Sequence, residues 1–141
     1  MAELADTTAW SVRARTQKLR AEFVAKLENG EIATCDMVKL ELLHSARNPA
    51  EFRSLRDELE AVPTCEIGVG EWRRALDVYE ELCASGPGND FHRSVGHADL
   101  LIAAAAESAG VTLLHYDKDF DAIARVTSQP TRWIASRGSL R

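Results

Sequence analysis

A chain of 141 residues, 45% of them hydrophobic, suits a single domain over residues 1–141 with one core and leaves no room for a second. A formal charge of −5 excludes a protein that grips nucleic acid through bulk positive charge, so any such contact must come from local patches such as Arg13, Arg15, Lys18 and Arg20, or Arg132, Arg137 and Arg141. No apolar run approaches the ~18 residues of a membrane span, no basic segment followed by an apolar one opens the chain, and Cys35, Cys65 and Cys83 form no C-x-x-C pair. The expectation is a soluble cytoplasmic protein with no membrane partner, no zinc or disulfide framework, and three buried reduced thiols.

In chain order, residues 2–6 read as a short strand that stops at Asp6, Thr7 and Thr8, residue types that open helices. Ala9, Trp10 and Val12, then Leu19, Phe23, Val24 and Leu27 at helical spacing, predict two helices or one bent helix, ended by Asn29-Gly30. Residues 32–34 are extended and lead to Asp36, the predicted N-cap of a helix over residues 37–45. On that helix Glu41 projects between Met37 and Val38, which places a carboxylate on the apolar face. A bare charge there is costly to bury, so Glu41 needs a cation, hydrogen bonds or the rim of a cleft.

Asn48-Pro49 opens a scaffold helix with Phe52, Leu55, Leu59 and Val62 on one face, and Pro63 ends it. Residues 64–67 predict a strand, and residues 69–82 a helix packed through Trp72, Leu76, Val78, Tyr79 and Leu82. Residues 84–90, with Gly86-Pro87-Gly88-Asn89, are the clear loop. His92, Arg93 and Ser94 then lead into GHADLLIAAAAESAGVTLLHYDKDFD, on which the chain is centred. It is apolar on all sides from Leu100 to Ala106, which predicts a buried helix with Asp99 in its first turn and Gly110 at its end. Val111 to Tyr116 predict a strand covered on both faces; Asp117 and Asp119 follow it, a helix runs on from Asp121 through Ile123 and Ala124, and residues 131–135 predict a last strand. Strands alternating with helical patterns give an α/β class: a three-layer α/β/α sandwich on a small, mostly parallel sheet, with helices outweighing strands.

In a parallel sheet the strand-to-helix loops open on one edge, so Asp6 after the first strand and Asp117 after the later one land together. Asp99 at a helix start and Glu41, which needs a polar outlet, are candidates to join them. Clustered carboxylates raise one another's pKa and call for a cation. All-oxygen donors suit Mg²⁺, with Mn²⁺ as its substitute, and such sites commonly serve phosphoryl chemistry. Taken singly, Asp6 reads as a helix cap, Asp99 as a dipole partner, and Asp117 and Asp119 as turn residues; the conjunction carries the argument.

These residues, Asp6-Thr7-Thr8, Glu41 in VKLELL, HADLLIAAAAE around Asp99 and LLHYDKDFD around Asp117 and Asp119, resemble a PIN-domain ribonuclease, and within that family a VapC-type toxin of a type II toxin–antitoxin pair. The resemblance covers nearly the whole chain and is most specific in the last two blocks. It implies a PIN-like fold and an Mg²⁺-dependent endoribonuclease in which an activated water cuts the phosphodiester bond, leaving a 5′-phosphate. By motif, Asp6, Glu41, Asp99 and Asp117 match the family's catalytic acids, with Asp6, Asp99, Asp117 and Asp119 as metal ligands and Thr8 as a supporting hydroxyl. It also implies an RNA substrate, a homodimer, and silencing by a VapB-type antitoxin in a hetero-oligomer. Arg93 is the candidate contact to substrate phosphate. His97 and His115 lie beside the acids, where orientation of neighbouring groups is the expected role, since the metal-activated water needs no histidine base. The alternatives are a receiver-like Mg²⁺-binding signalling domain, which would want a mid-chain strand ending in aspartate and a lysine where Asp117 stands, and a catalytically silent interaction module. A haloacid-dehalogenase-type phosphatase would want D-x-D where Thr8 fills the second acidic position.

Overall fold

The computed structural model describes residues 2–85 and 91–140, so the loop predicted over residues 84–90 lies largely outside the described residues. Five strands, β1 (Glu3–Ala5), β2 (Ile32–Cys35), β3 (Thr64–Cys65), β4 (Thr112–His115) and β5 (Thr131–Trp133), form one sheet in the order β3-β2-β1-β4-β5. Every neighbouring pair is parallel, with Leu4 opposite Ala33 on one side and Leu113 on the other. Every residue of β1 and β2 is buried. Because successive side chains point to opposite faces, burial of all of them means that both faces are covered by helices.

The helices are α1 (Thr7–Val12), α2 (Gln17–Glu28), α3 (Asp36–Leu43), α4 (Pro49–Glu60), α5 (Val69–Ser85), α6 (His97–Ala109) and α7 (Asp119–Thr127), with a single 3₁₀ turn at Phe91–Ser94. The N-terminal helical region is two helices, because Thr16 breaks it and accepts a hydrogen bond from the Leu19 N–H at 3.1 Å to cap α2. Trp10 and Phe23 meet edge to face at 5.1 Å and lock α1 onto α2. In α6, all residues from Leu100 to Ala106 are buried, as the apolar composition predicts. Gly110 ends that helix at φ +70°, a conformation that favours glycine. The buried leucines of the central strands, Leu4, Leu113 and Leu114, each stabilise the fold by about 1.5–3 kcal/mol.

Five expectations need correction. Asp36 is the first residue of α3 and Cys35 occupies the capping position without a side-chain cap, so Asp36 instead pairs with Lys39 at 3.6 Å. Asp119 begins α7, two residues earlier than the sequence pattern places the helix. On α5, Ala75, Val78 and Leu82 face the core, whereas Trp72 and Leu76 are 56% and 57% exposed. Cys83 is exposed, while Cys35 and Cys65 are buried. The edge strands are also shorter than predicted, β3 ending at Cys65 and β5 at Trp133.

Candidate active site

The chain runs outward from β1 to β2 and β3, then returns past β1 to β4 and β5. The switch point is therefore the gap between β1 and β4, and ligands of open α/β sheets sit beyond the strand ends at such a gap. Asp6 follows β1 and Asp117 lies two residues beyond β4. Their backbones are tied together, the Asp6 N–H donating to the Leu114 carbonyl at 3.0 Å.

Asp6 serves two roles at once. Its Oδ1 accepts from the Ala9 N–H at 3.0 Å, capping α1, and from the Thr8 hydroxyl at 2.7 Å. The residue is 1% exposed, and burial outweighs these hydrogen bonds, raising its pKa to about 6. Thr8 Oγ1 also accepts the Tyr116 N–H at 2.8 Å, so one hydroxyl joins the acid after β1 to the turn after β4. Thr7, which the sequence pattern does not single out, donates to Glu41 Oε1 at 2.6 Å. Consecutive threonines on the first turn of α1 thus hold acids from two different elements. The only signal in the sequence is the hydroxyl pair itself, which does not say which acid each one meets.

Asp99 sits in the first turn of α6, behind Gly96, where a Cβ would come within 3.3 Å of Asp99 Oδ2. Burial, then the charges of Asp117, Asp6, Asp119 and Glu41 in that order, push its pKa up to about 7. The other four predicted acids therefore all act on Asp99. Ligand oxygens of Asp99, Asp117 and Asp119 lie within 4.8 Å of one another, with Asp6 and Glu41 flanking this group. Asp119 is also raised, by burial and then by Asp117. The turn is built for this, because Asp117 Oδ1 accepts the Asp119 N–H at 2.9 Å.

Elsewhere, acids find bases. Glu3, at the opposite end of β1, meets Arg132 at 2.7 Å and Lys26 at 3.3 Å, and Glu107 meets Arg74 at 2.8 Å. Among the described residues, no lysine or arginine makes an ion pair with Asp6, Glu41, Asp99, Asp117 or Asp119. The charge of Lys118 opposes the rise in the Asp119 pKa, and an acidic cluster with no ion pair to a lysine or arginine among the described residues, its donors all oxygen, is suited to a divalent ion. The Cys35 thiol is no competitor, since burial pushes its pKa up to about 11 and keeps it neutral.

The other candidates stand at the margin. Arg93 is exposed in the 3₁₀ turn before α6. His97 turns to α5, its Nε2 3.4 Å from the Tyr79 hydroxyl. His115 is fully buried beneath the turn, where its Nδ1 accepts the Asp117 N–H at 3.1 Å. Arg132 of the C-terminal basic patch is engaged by Glu3, and Arg141 lies outside the described residues. A groove of about 520 Å³ lined by Met37, Trp72, Leu76, Tyr79, His97 and Leu101 reaches the start of α6 next to Asp99.

Thr8→Val is expected to destabilise the protein by about 1–3 kcal/mol in urea unfolding, because it strips a partner from both the Tyr116 N–H and Asp6. Thr8→Ser, which keeps the hydroxyl, should lose less. A larger loss for Thr8→Ser than for Thr8→Val would mean that the methyl, not the hydroxyl, matters.

A family model described as PIN domain matches residues 4–126. Relatives include Ribonuclease VapC18 of Mycobacterium tuberculosis, 42% identical over 96% of this chain and 96% of its own. Ribonuclease VapC21 of the same species is 39% identical over 90% of each chain. Among solved structures, VapBC-1 from nontypeable Haemophilus influenzae has a TM-score of 0.72 at 20% identity, covering 95% of this chain and 98% of that one. DNA-bound VapBC from Salmonella typhimurium has a TM-score of 0.71 at 15% identity, covering 96% and 100%. At those identities the structural likeness concerns the fold.

Proposed function

The chain belongs to the PIN-domain family, among the VapC ribonucleases, and on that premise we propose that it is the toxin of a toxin–antitoxin pair, an Mg²⁺-dependent endoribonuclease. The observation that carries this reading is the convergence of five acids from four parts of the chain on one sheet edge, none of them ion-paired to a lysine or arginine among the described residues. We assign Asp6, Asp99, Asp117 and Asp119 as the residues that would hold the ion, Mn²⁺ serving as a substitute, and Glu41 as the acid that completes the catalytic set with Asp6, Asp99 and Asp117. Bound there, a divalent ion would lower the pKa of water and offset charge building on the scissile phosphate.

The protein's own part is orientation and charge. Thr8 and Thr7 fix Asp6 and Glu41, and the turn after β4 presents Asp117 and Asp119 together. Asp99, with a pKa of about 7, holds a proton near neutrality that a bound cation must displace, and Asp6, with a pKa of about 6, does so in mildly acidic solution. We assign Arg93, exposed in the 3₁₀ turn ahead of α6, as a contact to a phosphate of the RNA. The unmatched acids also repel a polyanion, so RNA cleavage should require the cation for binding as well as for chemistry.

The two solved structures compared above are VapBC from Salmonella typhimurium and VapBC-1 from nontypeable Haemophilus influenzae, and the exposed Trp72 and Leu76 of the apolar groove support a partner-covered surface here. We assign that partner as a VapB-type antitoxin, with the toxin itself a homodimer. Among the described residues no helix is long and apolar enough to cross a membrane.

Brief expression followed by sequencing of RNA 5′-phosphate ends tests the reading. New ends at defined sites should appear with the unsubstituted protein and be missing with Asp99→Asn. If the two libraries match, the ribonuclease assignment falls.

A further inference from the structure

The amides of the turn after β4 find their acceptors in side chains. The Tyr116 N–H donates to Thr8, the Asp119 N–H to Asp117, and the Asp117 N–H to His115 Nδ1 at 3.1 Å. His115 points down into the core from the last residue of β4, 0% exposed, with its ring 5.2 Å from that of Phe120 and 4.9 Å from that of Trp133. A ring nitrogen that accepts from an amide carries no proton, so the proton of the neutral imidazole sits on Nε2. Nε2 is buried without a hydrogen-bond partner, and the nearest acidic oxygen is Asp121 Oδ1 at 4.0 Å. Asp121 is in turn held by the Trp133 indole N–H, at 3.2 and 3.1 Å to its two oxygens. The carboxylate therefore faces the side of the ring that carries the proton.

We propose that His115 is a positioning residue for the metal site: as the Nε2–H tautomer, packed against Phe120 and Trp133 with Nε2 toward Asp121, it fixes the backbone that aims Asp117 and Asp119 at the ion. The proposal rests on the metal-site reading above and adds a residue that touches neither ion nor substrate. A hydrophobic side chain of similar size would fill the space but leave the Asp117 N–H without its acceptor, freeing the turn to rotate both carboxylates. A general-base role does not suit this geometry, since the ring lies beneath the turn and its available nitrogen is already engaged by backbone.

Two measurements test this without using activity. Long-range ¹H–¹⁵N spectra of the metal-free protein should show His115 in the Nε2–H form; the Nδ1–H form would overturn the proposal, because such a ring cannot accept the Asp117 N–H. Mn²⁺ titration followed by electron paramagnetic resonance should give about ten- to a hundredfold weaker binding for His115→Leu. His115→Asn places an amide oxygen where Nδ1 stood and should restore most of that affinity. It should do so although a buried amide makes it the less stable of the two variants, which separates positioning from bulk stability. Affinity that follows thermal stability, with Asn below Leu, or a His115→Leu variant that binds Mn²⁺ as tightly as the unsubstituted protein, would sink the positioning role alone. Failure of the unsubstituted protein to bind Mn²⁺ would remove the metal site and the proposal with it.

Discussion

Asp99→Asn is expected to abolish RNA cleavage, by at least about a hundredfold in kcat/KM, and at the same time to raise the melting temperature of the metal-free protein. The two effects share one cause. Asp99 is disfavoured as an anion by burial and by four neighbouring carboxylates, so its ionised form near pH 8 works against folding. Asparagine keeps the shape and removes the charge. At about 3 °C per kcal/mol for a domain of this size, relief of a few kcal/mol should raise the melting temperature in EDTA by several degrees. Activity would be read on a labelled RNA in Mg²⁺, stability by scanning calorimetry. A variant that loses activity and melts lower would show that Asp99 supports the fold, and the strained-site account would be wrong. A variant that keeps cutting would remove Asp99 from the chemistry.

The second large effect is on pH dependence. Asp6 and Asp99 have folded-state pKa values of about 6 and about 7, against about 3.9 in an unfolded chain. Between those limits the native state binds more protons than the unfolded state, so stability falls as pH rises. The contribution of these two acids is fully present below about pH 4 and is lost by about pH 7, a change on the order of a few kcal/mol. Buried His115, whose pKa is held below its ordinary value by desolvation, acts in the opposite sense at the acid end. Subtracting the Asp99→Asn profile from that of the unsubstituted protein isolates the contribution of Asp99. Added Mg²⁺ or Mn²⁺ should stabilise the protein more at pH 8 than at pH 5, because at low pH it must displace bound protons. A flat difference profile, or a cation effect indifferent to pH, would mean the acids are not coupled.

Particular residues show how far the sequence could be read. Asp6 and Asp117 were legible as neighbours because each follows a strand, and parallel strands end on one edge. Glu41 was legible as an anomaly, since a carboxylate on an apolar helix face needs an outlet; the outlet, Thr7, was not, because which of two adjacent hydroxyls faces which acid depends on how α1 leaves the sheet. The place of Asp99 could not be derived from spacing, which does not say where a helix begins relative to the sheet edge. Trp72 and Leu76 show the limit of periodicity, which finds apolar residues but cannot say that α5 buries one stripe and leaves the other outside. Asp121 was invisible as a partner of Trp133 and His115, because the three come from different elements that meet only in the folded core.

The sheet order has a last consequence, for synthesis. β1 pairs with β2 early in the chain but with β4 from residue 112 onward, and Glu3 is clasped by Arg132, 129 residues later. A growing polypeptide can dock its opening strand on one side only and waits for the far end to complete the other, a non-local closure that forms late. It follows that during synthesis Asp6 cannot meet Asp99, Asp117 and Asp119 until the chain beyond β4 has emerged, so the acidic cluster is among the last features to form.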